Sequence, residues 1–203
     1  MCIACANQSD VLFNGHALLI DRENTAFILD RAHNNTLKVY VDPSLPVWAV
    51  NAASAMITDV DSIIGTNITE THSREDAQIV IDEEADTVRS FGYQKSGIDG
   101  VAWWNSDTDQ YHASVITKAN HDHNAYGHTL LHELLHTLGI SHHHELIYDA
   151  HRTVTAMGNT GHTKYSGTLT ALDKFSLQAI HGAPSLWDGP SDWQLTTTDI
   201  HTV

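Results

Sequence analysis

The chain has 203 residues, 41% of them hydrophobic, which suffices to bury the core of one domain and excludes a disordered chain. Its formal charge is −15, from 10 Lys and Arg against 25 Asp and Glu. No basic stripe is available to neutralise phosphates, so nucleic acid is not an expected partner. No stretch reaches the length of a membrane span, and no internal repeat or low-complexity block breaks the sequence. In chain order, hydrophobic periodicity predicts a strand at 37–41, a long helix at 46–64 entered through Pro43 and Pro46, and strands at 67–71 and 77–82. A helix at 83–91 follows, then a loop punctuated by Gly92, Gly97 and Gly100, strands at 100–105 and 112–117, and helices at 125–138 and 170–181. This order reads as an N-terminal segment (1–36), one domain (37–183) and a polar C-terminal extension (184–203) with Gly189 and Pro190.

The segment from 132 to 142 reads His-Glu-Leu-Leu-His-Thr-Leu-Gly-Ile-Ser-His. On a helix, His132 and His136 lie one turn apart on the same face, so both imidazoles can reach one zinc ion while Glu133 projects beside them. Gly139 can take the left-handed conformation that ends the helix, and the turn lets His142 swing back as a third ligand. Three protein ligands leave zinc one open position, the mark of a catalytic site. Sixteen histidines make some helically spaced pairs accidental. An accident, however, leaves unexplained why Leu130, Leu131, Leu134, Leu135 and Leu138 surround the ligands, as a helix buried on several sides requires. The ligands imply a mechanism. Zinc lowers the pKa of a bound water from about 15.7 to about 7, and Glu133 serves as general base and then returns the proton to the leaving amine.

The pattern HExxHxxGxxH followed by a Met-containing turn resembles the metzincin zinc metallopeptidases. Within that clan the chain is most similar to matrixins and serralysins, over roughly residues 37 to 182. The resemblance rests on Leu37–Val41, Val47–Ile64 with Trp48, Ala52, Ala55 and Met56, Asn67–Thr71, Ala77–Ile81, and the closing segment from Leu169 to Gly182. It implies an α+β fold with a twisted, mostly parallel five-stranded sheet, an antiparallel edge strand, a long active-site helix and a smaller irregular C-terminal lobe. It further implies that Met157, in Thr155-Ala156-Met157-Gly158, forms the Met-turn beneath the imidazoles. The edge strand would be Val101, Ala102, Trp103 and Trp104, pairing with an extended protein or peptide substrate; the alternative is that both tryptophans pack on the core. The chain departs from these relatives at Gly158 and Asn159, where serralysins carry Tyr at the second position and matrixins a Tyr-Pro pair. Tyr165 is the candidate to reach back toward zinc in its place.

Cys2 and Cys5 are the chain's two cysteines. Their CxxC spacing is open to three readings: a redox pair or half zinc site, an incidental pair, or an inhibitory thiolate that fills the open zinc position as in latent metzincins. The matrixin latency motif itself is absent. His121, His123, His128, His143, His144, His151 and His162 read as surface or outer-sphere groups, with His121-Asp122-His123 a candidate second metal site. Calcium is an optional second ion, although the glycine-rich repeats that bind it in serralysins are missing. Residues 1–20 lack a basic segment leading into a long apolar one, which by itself points to the cytoplasm; the resemblance to serralysins, which leave the cell by a route that uses a C-terminal signal, implies instead a location outside the cell reached without an N-terminal signal peptide. The expected function is a zinc-dependent endopeptidase. Its rival is a catalytically silent or single-partner zinc-binding protein on the same scaffold, and the oligomeric state is left open.

Overall fold

In a computed structural model of the chain, the described residues are 8–13, 16–21, 36–64, 67–84, 99–116, 123–140, 156–157, 168–169, 173–174, 177 and 195–196, with backbone alone for 8–21, 124 and 195–196. A hairpin of β1 (Gln8–Phe13) and β2 (His16–Asp21) opens the chain, its ends in register at Phe13 and His16. The intervening Asn14-Gly15 is the residue pair most favoured in two-residue hairpin loops. Late in the chain β8 (Leu195–Thr196) pairs antiparallel with β1, so the N-terminal segment and the C-terminal extension share a small sheet of order β2-β1-β8.

The main sheet has five strands in the order β4-β3-β5-β7-β6. They are β3 (Thr36–Val41), β4 (Asn67–Thr71), β5 (Ile79–Glu84), β6 (Gly100–Asn105) and β7 (Gln110–Ile116). Pairings of β3 with β4, β3 with β5 and β5 with β7 are parallel, and β6 runs antiparallel to β7 at the edge. The fold is thus mixed α/β with one antiparallel edge strand. The β6–β7 connection is tight: Asp109 takes a φ of 60° and its N–H donates to the Asn105 carbonyl at 2.8 Å. Glu83 and Glu84, expected to begin a helix, instead continue β5 opposite Val115 and Ile116. The ladder to β7 outweighs their helical propensity, and 85–91 lies outside the described residues.

Helix α1 (Val47–Asp61) starts after Pro46, whose carbonyl accepts from the Ala49 and Val50 N–H groups. Its buried residues Ala49, Ala53, Met56, Ile57 and Val60 fall at helical spacing along one face. It ends at Asp61, three residues short of the expected 64, and Ile64 reaches the core from the turn that follows. Helix α2 (His123–Thr137) joins α1 against the same face of the sheet. Leu130, Leu131, Leu135 and Leu138 are wholly buried there with Leu37, Ile79, Ile81 and Val115. Each such leucine contributes about 2 kcal/mol relative to exposure. The expected closing helix at 170–181 is helical at 173–174 and 177, its other residues lying outside the described set, and Leu177 packs into the same core. No helix among the described residues is long and apolar enough to cross a membrane.

Candidate active site

Helix α2 ends in a Schellman turn. The Ile140 N–H donates to the Leu135 carbonyl at 3.1 Å, the Gly139 N–H donates to the His136 carbonyl at 3.0 Å, and Gly139 takes a φ of 90°. This turn aims the Ile140 carbonyl back at the helix, where it accepts from His136 Nδ1 at 2.7 Å. One turn earlier, His132 Nδ1 donates to the Ala156 carbonyl at 2.8 Å. A carbonyl only accepts, so both Nδ1 atoms carry a proton, and the Nε2 side of each ring is turned away from the backbone. The two Nε2 atoms face each other 3.1 Å apart, with the rings at 88°. Their separation approaches the roughly 3.3 Å that two imidazole nitrogens span around a tetrahedral zinc.

The Ala156 carbonyl is itself held. Both carboxylate oxygens of Asp173, which is 1% exposed, accept from the Ala156 N–H at 3.0 Å. Asp173 therefore supports His132 through the backbone of Ala156, accepting from its N–H while its carbonyl accepts from the imidazole. Met157, the next residue, is buried in the common core with Leu177. Glu133 is 6% exposed and lies against Gly100, the first residue of β6. His128, one turn before His132, has its ring centroid 6.1 Å from that of His132. Burial, with a smaller electrostatic contribution from His132, pushes its pKa down to about 4, so it is neutral near pH 7.

No family model matches the chain. No curated protein matches it by sequence either. Its fold is similar to solved structures of myroilysin. One is 11% identical, with 73% of this chain and 84% of that chain covered and a TM-score of 0.48. A second is 11% identical over 73% of this chain and 93% of that one, with a TM-score of 0.45.

The structure brings His132, Glu133 and His136 together with the 156–157 turn. The other sequence-derived candidates His142, Tyr165, Cys2 and Cys5 lie outside the described residues, as do His121 and Asp122. Among the described residues no group of three or more His, Cys, Asp or Glu is placed to hold a metal ion. His123 stacks on Trp48 with centroids 3.9 Å apart. On β6, Val101 is buried and the two tryptophans pack on opposite faces of the sheet. Trp103 stacks on His112 at 4.2 Å and donates to Ser114 Oγ at 3.1 Å, whereas Trp104 lies 5.1 Å from the Tyr111 ring against the core. Ala102, just before them, is half-buried.

Sequence reasoning missed a second polar cluster, on the face of the sheet away from the helices. Asp82 accepts from Ser114 Oγ at 2.6 Å, His112 Nδ1 at 2.9 Å and Arg74 Nη2 at 2.9 Å. Arg74 also pairs with Asp42 at 3.1 Å. Burial opposes ionisation of Asp42, but hydrogen bonds from Ser44 and the Arg74 guanidinium hold its carboxyl below the usual carboxylate range. The alternation Gln110, His112, Ser114 along β7 was the available signal, yet polar alternation ordinarily marks a solvated face. Asp173 was missed because nothing local to it points toward Ala156.

Proposed function

We propose that the chain is a metzincin-type zinc endopeptidase that hydrolyses internal bonds of an extended polypeptide. The observation that carries this reading is the convergence of the two Nε2 atoms to 3.1 Å, with a backbone carbonyl accepting from the opposite nitrogen of each ring. Such a donor set fits zinc. His132 and His136 would hold the ion, with His142 the third ligand by its spacing in the motif. When bound, zinc supplies a Lewis acid that makes water nucleophilic near neutral pH.

The chain's own residues supply the rest. Glu133, largely sequestered from solvent beside the first imidazole, accepts a proton from the attacking water and returns it to the leaving amine. Asp173, through Ala156, keeps the proton of His132 on Nδ1. The edge position of β6 leaves one side of its backbone for strand addition by the substrate. Both tryptophans are engaged within the sheet, so the backbone of β6 does the pairing and its side chains hold the strand in place. Zinc's open position also suits a thiolate from Cys2 or Cys5, which would make the N-terminal segment inhibitory.

The test is cleavage of a diverse peptide library with bound zinc quantified, for wild type, Glu133→Gln and a Cys2→Ser/Cys5→Ser variant. Chelator-sensitive cleavage by wild type and none by Glu133→Gln at equal zinc content is expected, with faster cleavage by the serine variant. Undiminished activity of Glu133→Gln would remove Glu133 as the base.

A further inference from the structure

Gly100 opens β6 opposite Val115 of β7 and faces α2. A Cβ built on it would lie 2.5 Å from Thr129 Cγ2, 2.7 Å from Glu133 Cγ and 2.8 Å from Glu133 Oε1. Carbon atoms rest at about 3.5–4.0 Å, so any side chain at 100 must displace one of these groups. The requirement is for space: the positive-φ glycine of the described residues is Gly139, and the Gly100 backbone suits any residue.

Thr129 cannot yield cheaply. It is β-branched in a helix, where χ1 is stiff, and its Oγ1 donates to the Ala125 carbonyl at 3.0 Å. Glu133 is one turn further along the same side of α2, and its Cγ is the first flexible atom in the way. A methyl at 100 would therefore turn the Glu133 side chain aside, while its contact with the Thr129 methyl is relieved only by spreading β6 from α2.

We propose that Gly100 is a positioning residue: its bare backbone lets the edge strand serve as the wall against which the Glu133 carboxylate is seated. This role rests on the peptidase reading. It sharpens that reading by setting the gap between the base and the strand that pairs with substrate at van der Waals contact. A misplacement of about 1 Å in a catalytic group costs about 10²-fold in rate. Gly→Ala at a site without a clash raises stability through the unfolded chain, so the sign of the thermal effect separates contact from open space.

The experiment combines kinetics and melting on the full chain with zinc content measured. Gly100→Ala is expected to lower kcat by about 10²-fold with KM and zinc content unchanged, and to lower the melting temperature. The thermal loss should vanish or reverse in a Thr129→Ser/Glu133→Ala background, where the obstructing methyl, Cγ and Oε1 are gone. Should Gly100→Ala not fold alone, Gly100→Ala in the Thr129→Ser background isolates the push on Glu133 and should show the same kcat loss relative to Thr129→Ser. Full kcat in either variant, or an equal thermal loss in both backgrounds, overturns the assignment. The peptidase reading fails separately, when zinc-bearing wild type cuts no peptide; the role of Gly100 then falls with it, even with the melting cycle intact.

Discussion

Along β5 and β7 both faces of the sheet are buried, by opposite means. Toward the helices, Leu37, Val39, Ile79, Ile81, Ala113 and Val115 are fully inaccessible and join α1 and α2 in one apolar core. On the other face Asp82, His112 and Ser114 are 4%, 2% and 0% exposed and joined by hydrogen bonds, with Arg74 bridging to Asp42. The apolar face is non-directional and loses stability in increments as atoms are removed. Each polar partner on the other face is needed by the next, so losing one strands the rest. The candidate site belongs to the apolar side, where buried leucines pack around two imidazoles and a carboxylate. The polar side instead anchors the edge strand, through Trp103 on Ser114 and His112.

The largest expected effect is chemical and confined to the helix side. Glu133→Gln should lower peptide turnover by about 10²–10⁴-fold with zinc content and melting temperature nearly unchanged, as measured by steady-state kinetics beside metal analysis and calorimetry. Next comes the polar side: Asp82→Ala should destabilise by about 3–5 kcal/mol, measured by denaturant unfolding, because it leaves buried His112 and Ser114 without their carboxylate and Arg74 with Asp42 alone. Leu134→Ala, the apolar counterpart, should cost about 2–5 kcal/mol, and its value relative to Asp82→Ala ranks the two kinds of burial. A loss from Asp82→Ala below about 1 kcal/mol would show the polar cluster to be dispensable.

Acid supplies a gentler probe of the helix side. His128 has a folded pKa of about 4 against an ordinary 6.5. In zinc-free protein, therefore, the unfolded chain takes up a proton that the folded chain refuses as pH falls through this interval. Stability should drop progressively from pH 6.5 to pH 4 and level off below, and melting curves of His128→Asn should lack that part of the slope. The smallest effect is a gain. A Cβ at Gly127 on α2 meets nothing within 4 Å, in contrast to Gly100. Gly127→Ala should thus stabilise by about 1 kcal/mol through helix propensity, a rise of about 2–4 °C for a chain this long.

Local pattern carried the parts of the molecule whose determinants are neighbours in sequence. Val47–Asp61 and His123–Thr137 follow apolar spacing along a helix, Thr36–Val41 follows alternation, and Gly139 sits where a helix needs a left-handed residue. The Asn14-Gly15 pair between β1 and β2 is a hairpin signal of the same local kind. Glu83 and Glu84 misled because intrinsic preference favours helix, while six consecutive pairs with β7 hold them extended.

By itself, then, the sequence determined the one-turn spacing of His132 and His136, the carboxylate of Glu133 beside them and the turn that closes their helix, because residues three and four apart on a helix are neighbours whatever the rest of the chain does. Tertiary structure alone decided that the Ala156 carbonyl orients His132, that Asp173 holds Ala156, that Asp82 is buried among Arg74, His112 and Ser114, and that Gly100 abuts Glu133. These contacts join residues 8 to 33 positions apart. No backbone period relates such positions, and only packing of the whole domain brings them within reach.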